Sequence, residues 1–244
     1  MKGKCHFYGV LWIFLLAAVQ TPAATSQTLL PPQTASMPRS EIERIGPGRF
    51  RIGNILLDKT SPTITMPAQV NMQQGMIELV ACSSGGKLWE SIFLVHAEPY
   101  HLQLALLLLG LNHKGGVRFQ GDSTLPEGDK VIVYVEKDGK RRRVEDYVWD
   151  FPRKAPMEQA GFAFSGSKFI NGEFGAQVTR TLITTQHDPY TILDNPMPTG
   201  VDSSEFEVNG KVTPPVGTTV TLVIQPMRLP SVKEERNKEK GEQK

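Results

Sequence analysis

With 244 residues, 27 of them basic and 25 acidic, the chain has room for one domain with its own core and carries almost no net charge. Lys2 and Lys4 belong to an N-terminal targeting pattern; without them 25 basic face 25 acidic residues, too small an excess to neutralise phosphates, which argues against a nucleic-acid partner. Of the two cysteines, Cys5 lies in that same segment, so Cys82 stands alone, an intramolecular disulfide is excluded, and stability must come from packing.

In chain order, Lys2 and Lys4 precede an apolar run of 13 residues from Phe7 to Val19, followed by Thr21-Pro22-Ala23-Ala24-Thr25-Ser26. Positive, then apolar, then small is the layout of a secretory signal, predicted here over residues 1–26 with cleavage after Ala24 or Ser26. The run falls short of the ~20 residues a spanning helix needs, so no membrane span is expected to persist. Cys5 precedes the run instead of following it, which argues against a lipid anchor. The expected destination is outside the inner membrane, periplasmic or extracellular. Residues 27–44 are polar and carry Pro31, Pro32 and Pro38, which reads as a linker. The globular domain is expected over residues 45–230. The tail, residues 231–244, contains KEERNKEKGEQK, has almost nothing to bury, and is expected to be disordered.

Within the domain, short apolar runs separated by turn residues predict strands at residues 49–52, 55–57, 63–66, 76–82 and 91–95. Residues 131–135 and 141–144 flank Lys137-Asp138-Gly139-Lys140, whose Asp-Gly supplies the positive φ angles of a tight hairpin. Residues 179–184 and 218–224 are two further strands. One helix is expected over residues 99–109, started by Pro99 and stopped by Gly110. It would be ~16 Å long. With leucine around nearly its whole circumference, it is expected to be buried on most sides. The fold class is therefore α+β, mostly antiparallel sheet with one buried leucine-rich helix.

Reactive side chains are densest between Cys82 and His101. A phosphate-binding loop fails here, because Ala81 and Leu88 stand where Gly and Ser or Thr are required and a strand follows instead of a helix. A thiol nucleophile would pair Cys82 with His101, an imidazole near the positive end of the helix dipole. Against this, a single cysteine closing an apolar strand is more often an inert small hydrophobe. A metal site would draw on Glu90, His96 and His101, with His113 or Cys82. Read as a hairpin, residues 76–82 and 89–95 set Cys82 opposite Trp89 and hold Glu90 and His96 ~20 Å apart along the strand, too far to share an ion. Paired cysteine or His-Glu-x-x-His ligand patterns are missing too. Arg141-Arg142-Arg143 is offset by Glu136, Asp138, Glu145 and Asp146 and reads as a solvated edge hairpin. Phe164-Ser165-Gly166 lacks the flanking glycines of a nucleophile elbow. His187-Asp188-Pro189-Tyr190 reads as a turn.

Glu78-Leu79-Val80-Ala81-Cys82, Gly86-Lys87-Leu88-Trp89-Glu90-Ser91, Ala97-Glu98-Pro99-Tyr100-His101-Leu102 and the run to Leu111 together resemble the YdjY-domain proteins. Phe164 to Ser167 and Pro215 to Ile224 extend the likeness, which covers most of residues 49–226. The resemblance implies an exported bacterial protein of a family without a defined biochemical role. It carries Cys82, Lys87, Glu90, Ser91 and His101 over as candidate site residues. Where the resemblance leads one to expect His-Glu, this chain has Trp89-Glu90, so a site built on two histidines would be altered here. Some members are described as ferredoxin-like, but Cys82 alone cannot supply the four thiolates of an iron–sulfur cluster. Together these readings predict an exported envelope protein with a non-catalytic binding domain for a small ligand or another envelope protein. The alternative is a metal-binding protein or hydrolase-type enzyme centred on Cys82, Glu90 and His101.

Overall fold

The computed structural model describes residues 42–227; the predicted signal segment, residues 27–41 of the predicted linker and residues 228–244 lie outside this range. The first strand, Ile42–Gly46, starts three residues inside the segment expected to be linker. Twelve strands form one mixed sheet: β1 (Ile42–Gly46), β2 (Arg49–Ile52), β3 (Ile55–Asp58), β4 (Thr63–Val70), β5 (Leu79–Ser83), β6 (Ser91–Val95), β7 (Lys130–Lys137), β8 (Lys140–Arg143), β9 (Phe162–Phe164), β10 (Thr181–Thr184), β11 (Leu193–Asp194) and β12 (Thr219–Pro226). Eight of them close on themselves in the order β4-β12-β7-β9-β11-β10-β5-β6, with β6 returning to β4, to make a barrel. Closure leaves β1, β2 and β3 as a meander outside the ring and β8 as an edge strand on β7.

The long strands alternate as a half-buried sheet requires: Ile64, Met66, Ala68 and Val70 of β4, Val131, Val133 and Val135 of β7, and Val220, Leu222 and Ile224 of β12 are all buried. On one edge β4 serves two partners, β3 along its first half and β6 along its second. Pro67 sits at the changeover, and its carbonyl accepts from His96 N–H on that edge at 2.9 Å. A proline has no N–H to leave unpaired where one neighbour ends and the next begins. The predicted 137–140 hairpin forms, with Asp138 at φ 51° and Gly139 at φ 73°.

The predicted hairpin between residues 76–82 and 89–95 does not form. β5 and β6 run parallel, Leu79 level with Ser91 and Ser83 level with Val95. To return from Ser83 to the level of Leu79 the chain must cover ~13 Å, which residues 84–90 span without the usual crossover helix. Cys82 is consequently level with Leu94, and Trp89 points away from the sheet, 72% exposed.

The helix α1 (Pro99–Leu108) has Pro99 in its first turn. It ends in a Schellman motif: Gly110, at φ 91°, donates to Leu107 O, and Leu111 donates to Leu106 O. Leu102, Ala105, Leu106 and Leu109, spaced i, i+3, i+4, i+7, are buried; Leu104 and Leu108 are half-buried and Leu107 is 44% exposed. One face is thus covered, and burial does not extend around the whole circumference. A second, five-residue helix, α2 (Gly175–Thr179), packs beside it.

Candidate functional site

Glu78 directly precedes β5 and Glu90 directly precedes β6. Because these two strands are parallel neighbours, both carboxylates emerge at the same mouth of the barrel, and Glu78 N–H donates to Glu90 O at 3.2 Å. Lys87, in the connection between the strands, places Nζ 2.9 Å from Glu78 Oε2 and 2.7 Å from Glu90 Oε1. The second contact lies off the axis that a hydrogen bond needs, so Glu90 Oε1 is buried with charge alone to compensate it. Gln120 Nε2 bridges outward from this pair, donating to Glu78 Oε2 at 2.8 Å and to Gln186 Oε1 at 2.7 Å.

Two aspartates extend the cluster inward. Asp188 feels the charges of Lys87 and Glu78, and its carboxylate accepts from Tyr190 N–H at 2.7 Å. Asp194 is fully buried and accepts from Thr184 Oγ1 at 2.9 Å, Asn195 N–H at 2.8 Å and Asp188 N–H at 3.2 Å. Burial raises Asp188 above the ordinary carboxylate value and raises Asp194 well above it. Burial also pushes Glu90 up, helped by the charge of Glu78 and opposed by Lys87. Glu78 moves the other way: burial acts upward, but the contacts of Lys87 and Gln120 outweigh it and hold Glu78 below its usual value. Neighbouring carboxylates driven apart in this way occur at functional sites more often than elsewhere.

Cys82 is fully buried. Burial raises its thiol above the ordinary cysteine value, with the Ser91 hydroxyl opposing and Glu90 adding to the rise. Ser91 is also buried and donates to Phe93 O at 3.1 Å. Of the five residues taken from the sequence, Cys82, Lys87, Glu90 and Ser91 therefore share one neighbourhood. His101 does not join them. Its ring packs on the β2–β3 turn, where a Cβ on Gly53 would lie 2.4 Å from Nδ1, and burial lowers its basicity while Glu98 opposes this. Glu98 is itself held by Gln177 and Arg180. His96 is exposed at the far end of β6 from Glu90, and His113 lies edge-on to Phe164. Among the described residues no group of three His, Cys, Asp or Glu side chains is arranged to hold a metal ion.

Several residues here escaped the sequence reading. Glu78 lies in the strand run and in the block that carries the family resemblance but is not among the candidate site residues, and Gln120 and Gln186 give no signal in the sequence. Asp188 lies in the segment read as a plain turn, yet His187 beside it is fully buried, its Nδ1 2.6 Å from Asp122 O and its Nε2 3.0 Å from Met197 O. Gly121 N–H donates to His187 O at 2.8 Å, so the loop bearing Gln120 is pinned to that segment. Elsewhere Ser165, buried, bonds to the carbonyls of Thr191 and Ile192. Arg141, Arg142 and Arg143 are paired with Glu136, Asp146 and Glu145.

Residues 55–225 match the YdjY domain, a span that holds, in whole or in part, ten of the twelve strands, all except β1 and β2, together with both helices and the polar cluster at the mouth. Neither the curated proteins nor the solved structures give a match. A match over so large a share of the chain, covering the barrel and its site together, places the protein in the YdjY-domain family.

Proposed function

We propose that this is an exported bacterial envelope protein whose YdjY domain binds a ligand at the barrel mouth without transforming it. Export rests on the N-terminal pattern of Lys2, Lys4 and the apolar run. The observation that carries the binding reading is the division of the candidate residues. The thiol is sealed inside, where burial disfavours its ionisation, and the imidazole expected to activate it belongs to another cluster. What reaches the surface instead is the Lys87 bridge between Glu78 and Glu90, with Gln120 bonded to Glu78 and, in the same connection as Lys87, the exposed indole of Trp89. Such a combination holds and orients molecules.

The opposed shifts of Glu78 and Glu90 favour one second reading, a hydrolase-type enzyme with Glu90 as acid and Glu78 as base. Elemental analysis of the purified protein, with thiol-labelling rate followed against pH, separates the classes that involve Cys82 or a metal. The binding reading expects no stoichiometric metal and labelling that is slow in the native state and accelerates on unfolding. A bound metal, or a thiol titrating below the ~8.5 of free cysteine, would overturn it.

A further inference from the structure

An asparagine followed by glycine is chemically labile, because a residue without a Cβ leaves its backbone nitrogen open to the amide of the preceding side chain. The chain has two such pairs, Asn171-Gly172 and Asn209-Gly210, and the fold treats them in opposite ways. Asn209 is 6% exposed and held from every side. Its backbone N–H donates to Tyr147 O at 2.8 Å, its Nδ2 donates to Asp146 O at 2.8 Å, and its carbonyl accepts from Val212 and Thr213. The nitrogen that would have to attack is occupied as well, since Gly210 N–H donates to Val208 O at 2.9 Å. Gly210 also lies tight against the chain opposite, where a Cβ would come within 2.9 Å of Gln73 O.

Asn171 and Gly172 stand in the open. At φ 50° and 86° they form the two-residue turn between the short strands Phe169–Ile170 and Glu173–Phe174, which pair antiparallel. Both residues are exposed, and a Cβ on Gly172 would meet nothing within 4 Å. The hydrogen bond of such a turn joins its first and fourth residues, so the N–H of Gly172 is left to solvent. Phe174, at the base of this hairpin, is 7% exposed and packs edge-on against Phe169 at 6.1 Å and against Tyr100 of α1 at 6.2 Å. The labile pair is therefore anchored at its base and free at its tip.

We propose that Asn171 is a site of spontaneous deamidation, at which the folded protein converts an amide to a mixture of aspartate and isoaspartate. The nitrogen of Gly172 gives up its proton and attacks Asn171 Cγ. The new N–Cγ bond closes a five-membered succinimide as the Cγ–Nδ2 bond breaks, and the amide leaves as ammonia carrying that proton. Water then opens the ring: cleavage at Cγ restores the main chain with aspartate, and cleavage at the main-chain carbon routes the chain through the side chain as isoaspartate. Water is the sole co-reactant. Isoaspartate lengthens the main chain by one carbon in a turn with room for two residues, which puts Phe169 out of level with Phe174, and either product adds a carboxylate next to Glu173.

Incubation of the full chain in warm, mildly alkaline buffer, followed by mass-spectrometric mapping of its tryptic peptides, tests this. The peptide of residues 169–180 should gain the mass of amide-to-acid conversion and separate into two chromatographic species. The peptide of residues 181–211, which carries Asn209, should stay unchanged; its other asparagine, Asn195, precedes a proline and has no N–H to attack it. Conversion at Asn171 is expected to be at least about tenfold faster than at Asn209, which can react only through local opening of the fold. In urea the two rates should draw together, because the local chemistry is the same and only the fold separates them. Asn171→Gln, whose cyclisation would need a six-membered ring, should leave the first peptide unconverted. Native conversion of Asn209 as fast as that of Asn171, or an unchanged Asn171 over a period in which the denatured chain converts, overturns the proposal.

Discussion

Asp194 has three hydrogen-bond donors and, among the described residues, no cation in contact, so the protein satisfies its oxygens without supporting its charge. Burial raises its folded value well above 3.8. Between that raised value and the unfolded one, the folded chain holds a proton that the unfolded chain has released, so this residue makes stability fall as pH rises through the window. Glu90 and Asp188, also raised, act in the same sense, while Glu78, lowered, contributes stability that is lost as pH falls through its folded value. The melting midpoint of the parent should therefore rise on mild acidification from neutral pH before it declines. In Asp194→Asn, which cannot ionise, that rise should shrink; an unchanged profile across a series of buffered melts would show that Asp194 is not its source. The residue was invisible in the sequence, because nothing about Leu193-Asp194-Asn195 says that its carboxyl lies at 0% exposure.

Among the elements, α1 separates what composition predicts from what packing decides. Pro99 and Gly110 mark its start and stop by local chemistry, and both boundaries hold in the fold. The run of leucines says that the helix is apolar, but it contains no polar stripe to show which side meets solvent. Packing covers Leu106 completely and leaves Leu107, the next residue, 44% exposed. Leu106→Asp would bury an unpaired charge and should abolish cooperative folding, whereas Leu107→Asp should stay within about 0.5 kcal/mol of the parent. Circular-dichroism melts of the two purified variants check this; similar behaviour in both would contradict the one-sided burial. The residue 84–90 connection teaches a similar lesson. Gly-rich and seven residues long, it fits a hairpin as readily as a parallel return, and only the pairing of β5 with β10 and of β6 with β4 selects the latter.

For the whole molecule, closure depends on the last strand. β12 lies between β4 and β7 and pairs with each along six residues, so the ring cannot close until the chain has reached Pro226. β1, by contrast, pairs only with β2 at the outer end of the sheet, and most of its residues are exposed. Truncation before Thr219 should leave a chain without a cooperative melt, while starting the chain at Pro47 should retain one with a modestly lower midpoint. Thermal melts of both truncations decide the matter, and a cooperative melt without β12 would mean that the ring is not the folding unit.

The sequence by itself determined the local events: alternating strands, the Asp138-Gly139 turn, the ends of α1, and a concentration of reactive groups between Cys82 and His101, of which the fold gathers the part up to Ser91 and leaves His101 apart. Each depends on residues within a few positions of one another, where backbone sterics and hydrophobic period act directly. The tertiary structure alone decided the barrel, the parallel pairing of β5 with β6, and the company that Glu90 keeps. Glu78 meets Gln120 from 42 residues away, and Gln120 meets Gln186 from 66. Contacts at such separations follow from which strands become neighbours, and that choice is made by burying all the apolar faces at once, so no single segment records it.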